Sequence, residues 1–335
     1  MSSSMDVDSS QSNNNAENYI LPWVEKYRPV YLKDITGNEE AVERMEKIVQ
    51  TGNLPNLILT GLPGIGKTTS ILCLARELLG NSCKEGVLEL NASDDRGIDV
   101  VRNKIKAFAQ KKVTLPPGKH KIIILDEADS MTSGAQQALR RTMEIFSNTT
   151  RFALACNQIN KIIEPIHSRC AILRYVKLSD DEVEKRLKEI CEMENVSIDA
   201  SGYDALIYSA NGDMRQAVNN LQSCHYGFGQ VNAENVWKIC DQPHPYAIQK
   251  ILSYCAKGDI AEAEKSMREL YDIGYSSLDI ITTTFRVTKS YSELDQDLRL
   301  EYLRQIGFVH VRILEGHQSS LQLVGLVAKL CKASC

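Results

Sequence analysis

Nine residues from Gly61 to Thr69, reading Gly-Leu-Pro-Gly-Ile-Gly-Lys-Thr-Thr, combine three permissive backbone positions with one cation and two hydroxyls. The order Gly, four residues, Gly-Lys, Thr is the spacing that folds backbone N–H groups around a polyphosphate. Leu57-Ile58-Leu59 ahead of it reads as a short buried strand. Ile71, Leu72, Ala75, Leu78 and Leu79 behind it share one helical face. A strand, a glycine loop and a helix N-terminus make a concave nest of donors for an anion. Gly61, Gly64 and Gly66 permit the turn and the close approach. Lys67 is expected to reach the β- and γ-phosphates, and the Thr68 hydroxyl to ligand Mg²⁺. The whole stretch, Gly61, Leu62, Pro63, Gly64, Ile65, Gly66, Lys67, Thr68 and Thr69, is thus the expected binding loop for a nucleoside triphosphate.

Five more residues suit ATP hydrolysis. Ile122-Ile123-Ile124-Leu125 is a continuous apolar strand that ends in Asp126-Glu127-Ala128-Asp129. Asp126 is placed to hold the Mg²⁺ shell, and Glu127 to orient or deprotonate an attacking water. An acidic strand end on its own is as often a helix N-cap; its partnership with the phosphate loop favours the nucleotide. Asn157 follows the run Phe152–Ala155 and can position water between Glu127 and the γ-phosphate. Arg215, opening a helix after Gly212-Asp213-Met214, can reach the γ-phosphate from a second domain. Arg169, in Ser168-Arg169-Cys170, precedes a strand, and an arginine held there can stabilise phosphoryl-transfer charge in a neighbouring subunit.

The elements that must position these groups follow from the apolar pattern. Runs at Leu57–Thr60, Val87–Leu90, Ile122–Leu125, Phe152–Ala155 and Ile172–Val176 alternate with helical segments. That alternation predicts an α/β domain whose mostly parallel sheet carries helices on both faces, with the loop at its carboxyl edge. Ser179 to Glu182 is a capping-box sequence, after which the chain reads helical to Cys240. Pro243-His244-Pro245 marks a break, followed by further amphipathic helices and no strand signal. The expected division is a disordered tail over 1–18, a nucleotide-binding domain over 19–177, a helical lid over 178–242 and a helical domain over 243–335. With 335 residues, 43% hydrophobic and 24% charged, the composition is that of a multidomain globular chain. No apolar run is long enough for a bilayer, so no membrane partner is expected. Ten scattered cysteines without paired Cys-x-x-Cys motifs read as reduced, structural thiols.

The phosphate loop, Asp126-Glu127-Ala128-Asp129, Asn157, Ser168-Arg169-Cys170 and Gly212-Asp213-Met214-Arg215 together resemble the clamp-loader branch of the AAA+ ATPases. Trp23-Val24-Glu25-Lys26-Tyr27-Arg28-Pro29 and Asn91-Ala92-Ser93-Asp94-Asp95-Arg96-Gly97 resemble boxes of the small subunits of replication factor C. The resemblance runs from about residue 21 to the C-terminus. It implies a heteropentamer with other replication factor C subunits that opens the sliding clamp PCNA and loads it on primer–template DNA. ATP binding would permit opening, and hydrolysis would release the closed clamp. It further implies that Val24 and Arg28 contact the nucleotide, that Arg169 acts in trans, that the C-terminal helices form an oligomerising collar, and that the protein works in the nucleus in DNA replication and repair.

The net charge is −4, yet residues 96 to 112 hold six basic side chains against one acid. Arg96, Arg102 and Lys106 are the expected DNA-phosphate contacts, which a sequence-independent loader requires; charge alone would also describe a solvated helix face. Within the resembling family, Arg96 is a candidate partner of Glu127 until DNA displaces it. The helix over Ala135 to Phe146 ends where related subunits meet the clamp, which nominates Met143 and Phe146; an apolar helix end equally suits a core. A remodelling motor would need an aromatic pore loop, and none is convincing. A nucleotide-binding scaffold with silent ATPase would not need Lys67, Glu127 and Arg169 together.

Overall fold

The structure, a computed structural model, describes residues 21–94, 99, 101–240 and 242–334, excepting the side chains of residues 101 and 102. The tail over 1–18 and Arg96 lie outside the described residues, as does the side chain of Arg102.

Five apolar runs become strands β1 (Leu57–Thr60), β2 (Val87–Asn91), β3 (Lys121–Asp126), β4 (Thr150–Cys156) and β5 (Ala171–Arg174). They form one sheet in the order β2-β3-β4-β1-β5, every pairing parallel. Helix α1 (Glu39–Thr51) and helix α2 (Lys67–Leu79) supply residues to one core, and α3 (Ser133–Ile145) to a second. The period-two geometry of a strand sorts neighbouring residues between these cores. Ile122 and Ile124 of β3 join the first, Ile123 and Leu125 the second. Burial on both faces explains why the central strands β1, β3 and β4 read as continuous rather than alternating apolar runs.

Strand order decides where the polar ends meet. Because β3, β4 and β1 are neighbours, the residues that leave their carboxyl ends are Glu127, Asn157 and Gly61, side by side. Gly61 N–H still donates to Cys156 O at 3.3 Å, which holds the start of the loop against β4.

Beyond the sheet come four helices, α4 (Asp180–Glu194), α5 (Ala200–Ala210), α6 (Met214–Phe228) and α7 (Ala233–Ile239). The capping box at α4 is complete: Ser179 Oγ accepts from Glu182 N–H at 3.3 Å, and Glu182 Oε2 accepts from Ser179 N–H at 2.7 Å. This region is not wholly helical. Ser197–Ile198 and Gln230–Val231 pair as a two-residue parallel ribbon, too short for a period-two pattern to register in sequence. Its apolar residues are continuous with the first core of the sheet.

Helices α8 (Pro245–Ala256), α9 (Ile260–Ile273), α10 (Ser277–Ser290), α11 (Gln296–Leu314) and α12 (Ser320–Ser334) bury a separate core that includes Ile251, Tyr302, Ile306 and Leu326. His244 caps α8, accepting from Tyr246 N–H at 3.0 Å, and Pro245 takes the first helical position, where a missing N–H costs nothing. Among the described residues no helix is long and apolar enough to cross a membrane. Among the described residues Cys73, Cys83, Cys156, Cys170, Cys191, Cys224 and Cys255 are free thiols.

Because the capping box fixes the start of the helix that follows the sheet, Ser179→Ala should lower unfolding stability by about 1 kcal/mol. A urea titration followed by circular dichroism checks this; an unchanged midpoint would contradict it.

Candidate active site

Gly64 and Gly66 take positive φ, 69° and 92°, which lets the chain turn sharply into α2. The turn tucks Lys67 inward until it is only 8% exposed. Its Nζ donates to Gly61 O at 2.8 Å, Leu62 O at 2.6 Å and Asn157 Oδ1 at 2.9 Å. Burial lowers the Lys67 ammonium below the usual lysine value, while the negative charge of Asp126 opposes that shift. Thr68 Oγ1 donates to Asp126 Oδ2 at 2.8 Å. A hydroxyl and a carboxylate brought together at the entrance of a donor-lined loop are the hard oxygen ligands a divalent cation takes alongside phosphates. Nothing stands within 4 Å of where a Gly66 Cβ would project, so the loop faces open space there.

The carboxyl ends of β3 and β4 are tied by a residue that sequence reasoning missed. Asp129 Oδ1 accepts from Asn157 N–H and Oδ2 from Gln158 N–H, both at 3.3 Å. This fixes Asn157 where its side chain meets Lys67. Glu127 sits in the left-handed region at φ 50°, a conformation that costs a non-glycine residue energy and recurs at functional sites. Its N–H donates to Asp126 Oδ1 at 2.9 Å. The cavity here is lined by Val24, Arg28, Gly64, Gly66, Lys67, Thr68, Thr69, Asp126, Glu127, Asn157 and Arg215 among others. Expected groups far apart in sequence therefore share one wall. Arg28 Nε donates to Thr69 Oγ1 at 3.3 Å.

The cavity is closed from α6. Met214 N–H, one of the unpaired donors at that helix start, donates to Gly64 O at 3.1 Å. Asp213 caps the helix, accepting from Gln216 N–H at 3.1 Å, and its carboxylate packs directly over Gly64. A Cβ at position 64 would overlap that carboxylate.

Arg169 lies elsewhere, outside the cavity lining. Its Nη2 pairs with Glu144 Oε1 at 2.7 Å and its Nη1 donates to Pro165 O at 2.6 Å, leaving the side chain 33% exposed. Lys106 is exposed on the short helix Lys106–Gln110. The preceding turn, Val101–Ile105, is π-helical and hydrogen-bonds i to i+5, so the four-residue spacing of Arg102 and Lys106 does not have the α-helical meaning assumed for it. Met143 is corrected: at 2% exposed it belongs to the second core and presents no surface. Phe146 is half-buried, and the side chain standing free at that helix end is Ile145, 71% exposed.

The family model described as "ATPase family associated with various cellular activities (AAA)" matches residues 57–178. An "AAA+ ATPase lid domain" model of the "RCF1/5-like" type matches 185–226, and "Replication factor C C-terminal domain" matches 243–329. "Replication factor C subunit 4" of Schizosaccharomyces pombe is 63% identical over 96% of this chain and 94% of its own. The chain belongs to the replication factor C family. "Probable replication factor C subunit 2" of Dictyostelium discoideum is 60% identical over 94% of this chain and 93% of its own. "Replication factor C subunit 4" of Saccharomyces cerevisiae is 60% identical over 93% and 96%. These relatives carry the subunit numbers 4 and 2. Among solved structures, the Thermotoga maritima RuvB Holliday junction branch migration motor aligns with TM-score 0.54 at 18% identity, covering 68% of this chain and 78% of that one; this likeness concerns the fold. As a replication factor C chain with an AAA domain, the protein is a P-loop ATPase subunit of the clamp-loader class.

The Gly64–Asp213 packing yields a test. Gly64→Ala should weaken ATP binding at least about tenfold, by collision with Asp213 and by strain at positive φ. Adding Asp213→Ala should recover part of the loss, since it removes the collision and leaves the strain. Isothermal calorimetry on the two variants checks this, and equal losses would show that the packing is immaterial.

Proposed function

We propose that this chain binds ATP with Mg²⁺ between its sheet domain and its lid, hydrolyses it with help from a neighbouring subunit, and thereby drives loading of the sliding clamp PCNA onto primer–template DNA. One observation carries the reading. Arg169 stands outside its own cavity on an ionic tether to Glu144, whereas the lining of that cavity draws its cations from Arg28, Lys67, Arg186 and Arg215. An arginine finger braced away from its own nucleotide suits action on the next subunit's phosphates.

The roles follow from position. Gly61 to Thr69 cradles the phosphates through backbone N–H groups, and Lys67 neutralises them. Thr68 and Asp126 would hold the Mg²⁺, which when bound supplies charge neutralisation on the phosphate oxygens. Glu127 orients and activates water, and Asn157, fixed by Asp129, positions it. Arg215 senses the γ-phosphate from the lid. Val24 and Arg28 line the end of the cavity where the base and ribose fit. The separate helical core over residues 248–331 suits the collar that joins this chain to the other subunits of a heteropentamer. Lys106 remains a DNA-phosphate candidate, with Arg96 and Arg102 proposed on sequence grounds alone. Phe146 remains a clamp-contact candidate. A nuclear setting in DNA replication and repair follows from the role.

Reconstitution with partner subunits, clamp and primed DNA tests the proposal. Lys67→Ala should abolish ATP binding at this site and slow loading. Arg169→Ala should leave ATP binding by this chain intact yet lower the assembly's ATPase, because the lost charge acts on the adjacent site. A finger contributes at least about 10³-fold to turnover at the site it serves. Normal loading by both variants would leave a scaffold with silent ATPase as the better reading.

A further inference from the structure

The N-terminal box divides between two bodies at one peptide bond. Trp23 N–H donates to Gln222 Oε1 of α6 at 3.0 Å, and the buried Trp23 ring stacks near His225 and Tyr226 of the same helix, with centroids 5.6 and 5.7 Å away. Lys26 Nζ donates to Glu194 Oε1 at 2.7 Å, and Tyr27 Oη donates to the same oxygen at 2.6 Å. Arg186 Nη2 of α4 donates to Tyr27 O at 2.6 Å. Every one of these bonds ends on the lid.

From the next residue the partners change. Arg28 Nε reaches Thr69, the Cys73 thiol donates to Pro29 O at 3.3 Å, and Leu32 N–H donates to Glu77 Oε1 at 2.8 Å. All three of those partners lie on α2, in the sheet domain. Val24, Tyr27 and Arg28 line the cavity together with Arg186, Ile190 and Val218 of the lid. This wall of the cavity is therefore built from box and lid jointly.

Glu194 is the fastener. It is the last residue of α4, where an anion lies against the negative end of the helix dipole. Two donors on one oxygen offset that, and they hold its carboxyl below the usual glutamate range. Glu194 is 18% exposed but Lys26 is 49% exposed, so the ion pair is an ordinary surface contact and the half-buried Tyr27 bond is the more shielded of the two.

We propose that residues 23–27 belong mechanically to the lid, fastened there by Glu194, so that the base-binding wall travels with Arg215 when the lid turns and Glu194 acts as a positioning residue for the purine of the nucleotide. The proposal rests on the nucleotide-site reading above. It makes the step from Tyr27 to Arg28 the hinge. It also separates two functions within one cavity: the phosphate loop and Arg215 bind phosphate without the box, and the box reads the base only when Glu194 holds it.

Calorimetry on the full chain with two probes, Mg-ATP and inorganic tripolyphosphate, tests this. Glu194→Ala should raise the Kd for ATP about tenfold and leave that for tripolyphosphate unchanged. Glu194→Gln, which keeps an acceptor for Tyr27, should fall between the two proteins. Should Glu194→Ala not fold, Tyr27→Phe removes one of the two bonds alone and should weaken ATP but not tripolyphosphate. Equal weakening of both probes would mean general loosening and would overturn the proposal, as would unchanged ATP affinity. Lys67→Ala must weaken both probes; if it weakens neither, the site reading fails, and the proposal with it.

Discussion

A buried ammonium whose hydrogen-bond acceptors are all uncharged is the constraint on which the site depends. Lys67 satisfies its three donors with two loop carbonyls and the Asn157 amide, and burial depresses its pKa. Keeping such a charge out of water is costly even when its donors are bonded to neutral groups, and an anionic polyphosphate is the ligand that would repay the cost. Each nearby feature serves this geometry. The parallel order β3-β4-β1 brings Asp126 and Asn157 to the loop, Asp129 fixes Asn157, and the glycines let the backbone turn the lysine inward.

A second constraint joins the loop to the lid. The start of α6 uses the Gly64 carbonyl as the acceptor for one of its unpaired N–H groups, and the Asp213 carboxylate leaves no room for a side chain at position 64. The phosphate loop and the residue that places Arg215 are thus in direct contact. Any movement of the loop on binding phosphate must be felt at the lid. The N-terminal box, anchored to lid and sheet domain on either side of one peptide bond, spans the same joint. Farther along, Arg286 of α10 stacks over the Tyr208 ring of α5 at 5.4 Å, so the lid also touches the C-terminal helices.

How much of this was legible depended on whether a feature is local. The phosphate loop, the strand ending at Asp126 and the capping box at Ser179 are written in consecutive residues, and short-range sterics and hydrogen bonding enforce them. The central strands β1, β3 and β4 could be read because parallel strands buried on both faces need unbroken apolar runs. What escaped was tertiary. Nothing near Asp129 in sequence points to Asn157, and nothing near Asp213 points to Gly64. Met143 shows a different limit. It lies on the α3 face that carries Leu139, and that face turns to the core, whereas Ile145 is turned about 200° away around the helix and stands in solvent. Apolar character could not say which of the two the fold would cover. The two-residue ribbon in the lid is shorter than any periodicity could reveal.

The proposed function places ATP between lid and sheet domain, and it requires that ATP occupancy set the angle between them. Paired spin labels, one on the exposed face of α4 and one on α1, measured by electron–electron resonance in the assembled complex, address it most directly. The account predicts a shifted and narrowed distance distribution with ATP, and no shift in Arg215→Ala at saturating ATP. Superimposable distributions with and without ATP in the unsubstituted protein would contradict it.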